Sequence, residues 1–268
     1  MRNDPINEPY GEADRMNKVN KEMVNAQMVN NISPLAYVSP KAQIGRNVTI
    51  DAFAYIDDNV ILGDNCHVFP SAVIGAVPQD LKYRGEETYT IIGDNCVLRE
   101  FVTVHRGTAS KGKTVIGNNN LIMAYCHVAH DCVLHDNIIM SNATQLAGEV
   151  EVDDYAIIGG GTLVHQFTRI GAHCMIQGGS KINKDIPPFA IVAREPIAFC
   201  GINSVGLNRR GFTPEQIHTV QEAYRLIYNS GLNTTQALDR IAATMPASPE
   251  RDMILQFVKA STRGIVRA

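Results

Sequence analysis

The sequence contains no tryptophan, and aromatic residues make up only 6% of its 268 positions. That scarcity suits a thin interior filled by aliphatic and small side chains, as in a solenoid. Basic charge is also short: 24 Lys and Arg face 27 Asp and Glu, for a net charge of -3 and a pI near 6.2. A nucleic-acid binder normally shows a basic field, so no nucleic-acid partner is expected. No apolar run approaches the ~20 residues that span a bilayer, and the chain does not open with the charged, apolar and small-residue order of a signal peptide. It therefore reads as cytoplasmic, without stable membrane insertion.

What is present is a beat of six. Between residues 116 and 186 an aliphatic residue returns every sixth position: Ile116, Ile122, Val128, Leu134, Met140, Leu146, Val152, Ile158, Val164, Ile170, Ile176 and Ile182. A period of six fits neither an amphipathic helix nor an alternating strand, and a fixed short repeat marks a solenoid. The beat is already present from Val38 through Ile44, Ile50, Ile56, Leu62, Val68 and Ile74. The aliphatic and the fourth residue after it should point inward, with Gly or Asn allowing tight corners.

Of the six cysteines, Cys66, Cys96, Cys126, Cys132 and Cys174 each fall four residues after a repeat aliphatic. They take the slot that Val48, Ala54, Ala72, Thr144, Ala156, Thr162 and Ser180 fill elsewhere, so they read as small core residues. Cys200 lies outside the repeat.

Residues 1–32 are polar, show neither period, and read as a disordered leader. Residues 33–188 carry the repeats, which the Pro187–Pro188 pair closes. Residues 189–268 form a connector and a small helical domain. Thr213-Pro214-Glu215-Gln216 is a capping box with Pro at the first helical position, and Ile217, Val220, Tyr224 and Ile227 form a stripe ending at Gly231. A second helix starts near Thr234 or Thr235, and a third at Ser248-Pro249. The beat lapses twice, over 76–90 and 106–114. Loops that interrupt a solenoid commonly build its binding surface.

Three hexads make one coil, so a step of 18 moves one coil up, at ~4.8 Å per step. His130, second after Val128, faces out, and the step places Gly148 above it and Gln166 above that. Asp131 has Glu149 above it; His127 lies just before a beat and His165 just after one. Together these seven residues should form an outward polar patch on one face. A histidine beside a carboxylate can serve as general base near neutral pH, and glycine leaves a backbone N–H open to an oxyanion. His67, His135, His173 and His218 read as ordinary surface histidines.

The blocks Pro78-Gln79-Asp80-Leu81-Lys82-Tyr83, His105-Arg106-Gly107-Thr108, His127 to Cys132, Val164-His165-Gln166-Phe167 and Gly206 to Phe212 closely resemble the acyl-ACP:UDP-N-acetylglucosamine O-acyltransferases of lipid A biosynthesis. The resemblance covers nearly everything after residue 33, including Ser-Thr-Arg-Gly at 261–264. It implies a β solenoid, a left-handed parallel β-helix of hexapeptide repeats followed by a small α-helical C-terminal domain. That handedness is an exception to the usual right-handed crossover.

The resemblance also implies a homotrimer with sites between subunits. Its reaction moves a (R)-3-hydroxyacyl group from acyl carrier protein to the glucosamine 3-hydroxyl, with no metal, cofactor or covalent enzyme intermediate. His130 would be the general base, Asp131 its orienting partner and the Gly148 N–H the oxyanion donor. Gln79 and Asp80 would hold the acyl hydroxyl or sugar, and Lys82 would assist substrate or carrier binding. His127, His165 and Gln166 would line the sugar-nucleotide site, while Asn203, Arg209 and Arg210 would hold the nucleotide, the arginines meeting diphosphate. Gly178 would limit the acyl tunnel, and the space it leaves implies a chain of roughly 14 carbons or more. Glu149 stands where some relatives carry His, and Val205 where some carry Glu.

The nearest alternative is the related sugar-amine N-acyltransferase. The Arg209-Arg210 block and the lack of a separate folded N-terminal uridine-binding domain disfavour it. A trimeric hexapeptide carbonic anhydrase would need three converging zinc-binding histidines. A structural scaffold would make the outward histidines incidental.

Overall fold

The structure is a computed structural model and describes residues 29–268. Most of the expected leader lies outside the described residues, but Asn31–Ile32 already forms the first strand of the coil. Short strands follow one another around three parallel faces of ten, eight and seven strands, in the order face one, face two, face three within each coil. The coil is left-handed.

Each hexad supplies a pair of extended residues and then a corner. The third residue after the beat has φ near +60°, a conformation that costs an ordinary L-residue about 1–2 kcal/mol and that Asn tolerates best. Between faces three and one this position is Asn47, Asn65, Asn95, Asn119 and Asn137 on successive coils, then Tyr155, His173 and Phe189. The steps of 18 hold in the register, as in Val133 with Glu151 and Glu151 with Arg169. At the lapses the coil still closes, Leu62 pairing with Ile92 and Leu98 with Ile122. Both loops leave between strands of face two and face three, so both emerge at the corner that carries His130.

The beat residues fill the interior, and the five repeat cysteines are buried free thiols beside them. The fourth slot is broader than a small-residue rule: Val102, Ile138, Val150 and Asn120 also occupy it. Asn120 is tolerated because its amide is paired, donating to His135 O (2.8 Å) and accepting from Ile138 N–H (2.7 Å). Cys200 is exposed.

The proline pair does not end the solenoid. Strand Ala190–Ala193 pairs with Met175–Ile176 on face one and then turns antiparallel into Ala198–Ile202. Four helices follow: α1 (Ser204–Arg209), α2 (Pro214–Asn229), α3 (Thr234–Thr244) and α4 (Pro249–Ala260). The Thr213–Gln216 capping box opens α2, and Ile217, Val220, Tyr224 and Ile227 are buried with Phe189, Leu207, Ile241 and Ile254 in a second core. Tyr224 OH donates to Pro188 O, tying α2 to the last coil. Among the described residues no helix is long and apolar enough to cross a membrane.

Candidate active site

His130 sits at the corner between faces two and three with its side chain 11% exposed. Its neighbour Asp131 takes the left-handed corner position, φ 61°, and is fully buried. The expected open patch with Asp131 beneath Glu149 does not form at Asp131, whose carboxylate meets the covering loop in place of solvent. The second loop folds over it: Oδ1 accepts from Thr108 N–H (3.0 Å) and Lys111 N–H (3.2 Å), and Oδ2 from Thr108 Oγ1 (2.6 Å). Its own N–H donates to Thr114 Oγ1 (2.8 Å). In each of these side-chain contacts the carboxylate is the acceptor.

Asp131 Oδ2 also lies 2.8 Å from His130 Nδ1. Nδ1 must therefore carry the hydrogen of the neutral ring, leaving Nε2 with its lone pair, an assignment inferred from the acceptor. Nε2 points toward the first loop, where Asp80 Oδ2 stands 3.8 Å away, beyond hydrogen-bond reach. Gly148 borders the same nitrogen. A Cβ there would lie 2.5 Å from His130 Nε2 and Cε1, so the ring keeps its place only because residue 148 has no side chain. Among the described residues the Gly148 N–H has no acceptor. Gln79 and Lys82 are exposed on the first loop, with Lys82 N–H donating to Asp80 Oδ1 (2.8 Å).

Two further histidines stand behind His130. His127 is held at Nδ1 by Thr103 Oγ1 (2.7 Å), and His105 meets it edge-on at 4.8 Å. Burial, then the nearby His127 and His130, push His105 down to about 4, and burial followed by His130 lowers His127. Both rings are neutral near pH 7, which avoids crowding His130 with like charge. His105 has no role in the sequence reading. Counting across the lapse reveals it, because Thr103 and Val104 pair with His127 and Val128, which brings His105 beside the Ala129–His130 corner.

Gln166 is half-buried two coils beyond His130, and exposed His165 meets Gln166 O (3.0 Å) and Arg263 Nη2 (3.3 Å) through Nδ1. The column His130, Gly148, Gln166 thus stands at one corner. Asn203, Arg209 and Arg210 do not join it. They belong to α1 and its ends, at the corner between faces three and one. Asn203 caps α1, accepting from Gly206 N–H (3.1 Å) and donating to His173 O (3.0 Å). Arg210 donates to Tyr155 O (3.1 Å) and meets His173 Nδ1 (3.5 Å), whereas Arg209 is exposed. Gly178 is exposed at the third corner, between faces one and two.

His173 is not the surface histidine expected. Its ring lies between Tyr155 (5.0 Å) and Phe189 (5.5 Å), with burial and then Arg210 pushing it down to about 4. His67 pairs with Asp51 (2.7 Å). Among the described residues the metal-capable group of three is His135, Glu151 and Asp153, with one histidine where a carbonic anhydrase of this fold would need three.

The profile described as "Udp N-acetylglucosamine O-acyltransferase; Domain 2" matches residues 185–266, and that of the bacterial transferase hexapeptide matches residues 41–76 and 113–144. The acyl-[acyl-carrier-protein]–UDP-N-acetylglucosamine O-acyltransferase of Thermodesulfovibrio yellowstonii is 43% identical over 258 residues, covering 89% of this chain and 100% of that protein. The protein so named from Pseudomonas syringae pv. tomato is 46% identical over 75% of this chain and 78% of its own. The solved UDP-N-acetylglucosamine acyltransferase of Bacteroides fragilis superimposes with a TM-score of 0.84 at 50% identity, over 88% of this chain and 99% of that one. Repeat, corner geometry and near full-length similarity lead to one conclusion: this chain belongs to the acyl-[acyl-carrier-protein]–UDP-N-acetylglucosamine O-acyltransferase family.

Proposed function

We propose that the chain transfers a (R)-3-hydroxyacyl group from acyl carrier protein to the 3-hydroxyl of UDP-N-acetylglucosamine, the first step of lipid A biosynthesis, in the cytoplasm. The observation that carries the mechanism is the His130–Asp131 pair at 2.8 Å, which leaves Nε2 free to accept a proton. Nε2 takes the sugar hydroxyl proton as that oxygen attacks the thioester carbonyl. The buried Asp131 carboxylate stabilises the resulting imidazolium, and the Gly148 N–H donates to the oxyanion. Collapse expels the carrier thiolate, which recovers the proton from Nε2.

Around that step, Gln79 and Asp80 hold the acyl hydroxyl or sugar and Lys82 assists substrate or carrier binding. His127, His165 and Gln166 line the sugar-nucleotide site. Asn203, Arg209 and Arg210 hold the nucleotide from a neighbouring subunit of a homotrimer, since their corner is not that of His130. Gly178 limits the acyl chain from a neighbour in the same way.

Incubation with UDP-N-acetylglucosamine and 3-hydroxyacyl carrier proteins of several lengths tests this reading. Wild type should acylate the sugar hydroxyl, preferring long chains, and His130→Ala should lose on the order of 10²-fold or more in kcat. Absence of transfer, or a mutant as fast as wild type, rules it out.

A further inference from the structure

His135 and Asp153 occupy the same place on successive coils, the first residue after Leu134 and after Val152, which pair on face three with Glu151 beside them. His135 Nε2 lies 3.9 Å from Glu151 Oε1 and 3.9 Å from Asp153 Oδ1, and the three ligand atoms are all within 4.8 Å of one another. Those separations are too long for hydrogen bonds, yet they are close to what three ligands show around one ion at bond lengths of roughly 2.0–2.3 Å.

We propose that His135, Glu151 and Asp153 form a site for a divalent transition-metal ion that joins two adjacent coils, apart from the candidate active site. His130 and His135 flank opposite ends of strand Val133–Leu134, so an ion held here does not touch the reacting groups.

The local charge fits a cation. Asp153 stands beside a second carboxylate, Glu151, and His135 at 3.9 Å is too far to hydrogen-bond either of them. Two carboxylates are thus held together with incomplete neutralisation. The cation already present is Arg169. It contacts the far oxygen of Glu151, Oε2, at 3.3 Å, and its guanidinium is held over the Phe257 ring, so Oε1 is left facing His135. One imidazole with two carboxylates suits zinc, manganese, cobalt or nickel better than calcium or magnesium, which prefer oxygen donors only.

The test uses the full chain, stripped with a chelator and dialysed, then titrated with Zn²⁺ or Mn²⁺ by calorimetry and followed by thermal melting. Wild type should saturate at one ion per chain and gain roughly 5 °C in Tm at a hundredfold excess over Kd. His135→Ala and Asp153→Asn should each weaken binding roughly tenfold or more, while Arg169→Gln should tighten it by removing a competing charge. A control, His218→Ala, should bind as wild type does. Failure of wild type to bind at millimolar metal overturns the proposal, as does binding by His135→Ala equal to wild type.

Discussion

Asp131 is buried with a full set of donors, so each donor contributes to where His130 points. Thr108 supplies two of them, an N–H at 3.0 Å and a hydroxyl at 2.6 Å. Thr108→Val removes the hydroxyl alone and should cost about 1–3 kcal/mol of stability, because a charged acceptor loses a short bond. In kinetics it should lower kcat more than it raises KM, and an unchanged kcat would detach the second loop from the chemistry. Gly148→Ala acts from the other side of the ring. Its new Cβ must displace the imidazole, and acyl transfer should fall on the order of 10²-fold while Tm moves little. The sequence made His130 and Gly148 legible because both follow from the coil count. Asp131's burial was not legible, since the covering loop has no period and the corner rule alone turns residue 131 outward.

At the scale of elements, the helices were readable where capping and stripe coincide. Thr213→Ala removes the cap of α2 and should lower stability by about 1 kcal/mol, a shift in Tm of roughly 2–4 °C measurable by circular dichroism. The same reasoning applies to Asn233 and Gln236, which form a capping box for α3. The short α1 and the Ala190–Ala193 and Ala198–Ile202 strands had no such signal. Their length is below one clear period, and their place is fixed by tertiary contacts such as Asn203 on the His173 carbonyl. The corner residues carried a readable clue of their own. A column of asparagines gives way to Tyr155, His173 and Phe189 just where α1 and Phe212 pack, so the change of residue type marks the docking of the second core.

For the whole molecule, two buried neutral histidines set an acid limit. His105 and His173 titrate at about 4 when folded, below the ordinary value of 6.5, so the unfolded chain binds their protons first. The stability they contribute is fully present above pH ~6.5 and is lost as pH falls toward ~4, on the order of 3 kcal/mol for each. Thermal melts from about pH 7 to about pH 4.5 should show Tm falling, and His173→Phe should flatten the slope. A Tm independent of pH across that window would contradict the burial of both rings.

Assembly belongs to the same scale. His130, the Arg209–Arg210 pair and Gly178 stand at three different corners of one coil stack, so a site built from all of them, as proposed, needs neighbouring copies. Sedimentation should report three times the 29.3 kDa chain mass. Dilution that dissociates the proposed trimer should abolish transfer, and a fully active monomer would refute the shared site. The order of faces and coils was written in the beat, but which corners meet was not, because contacts between copies leave no periodic trace.

The first coil has a further consequence for how the molecule comes apart. Strands Asn31–Ile32, Tyr37–Val38 and Gln43–Ile44 are paired on one side only among the described residues, whereas α2, α3 and α4 pack together at the opposite end. Coils lean chiefly on their neighbours, so among the described residues opening should start at the first coil and advance one turn at a time. Amide hydrogen exchange should therefore form a gradient along the axis, fastest near Ile32 and slowest near Met175. Four coils must unwind before fraying reaches His130.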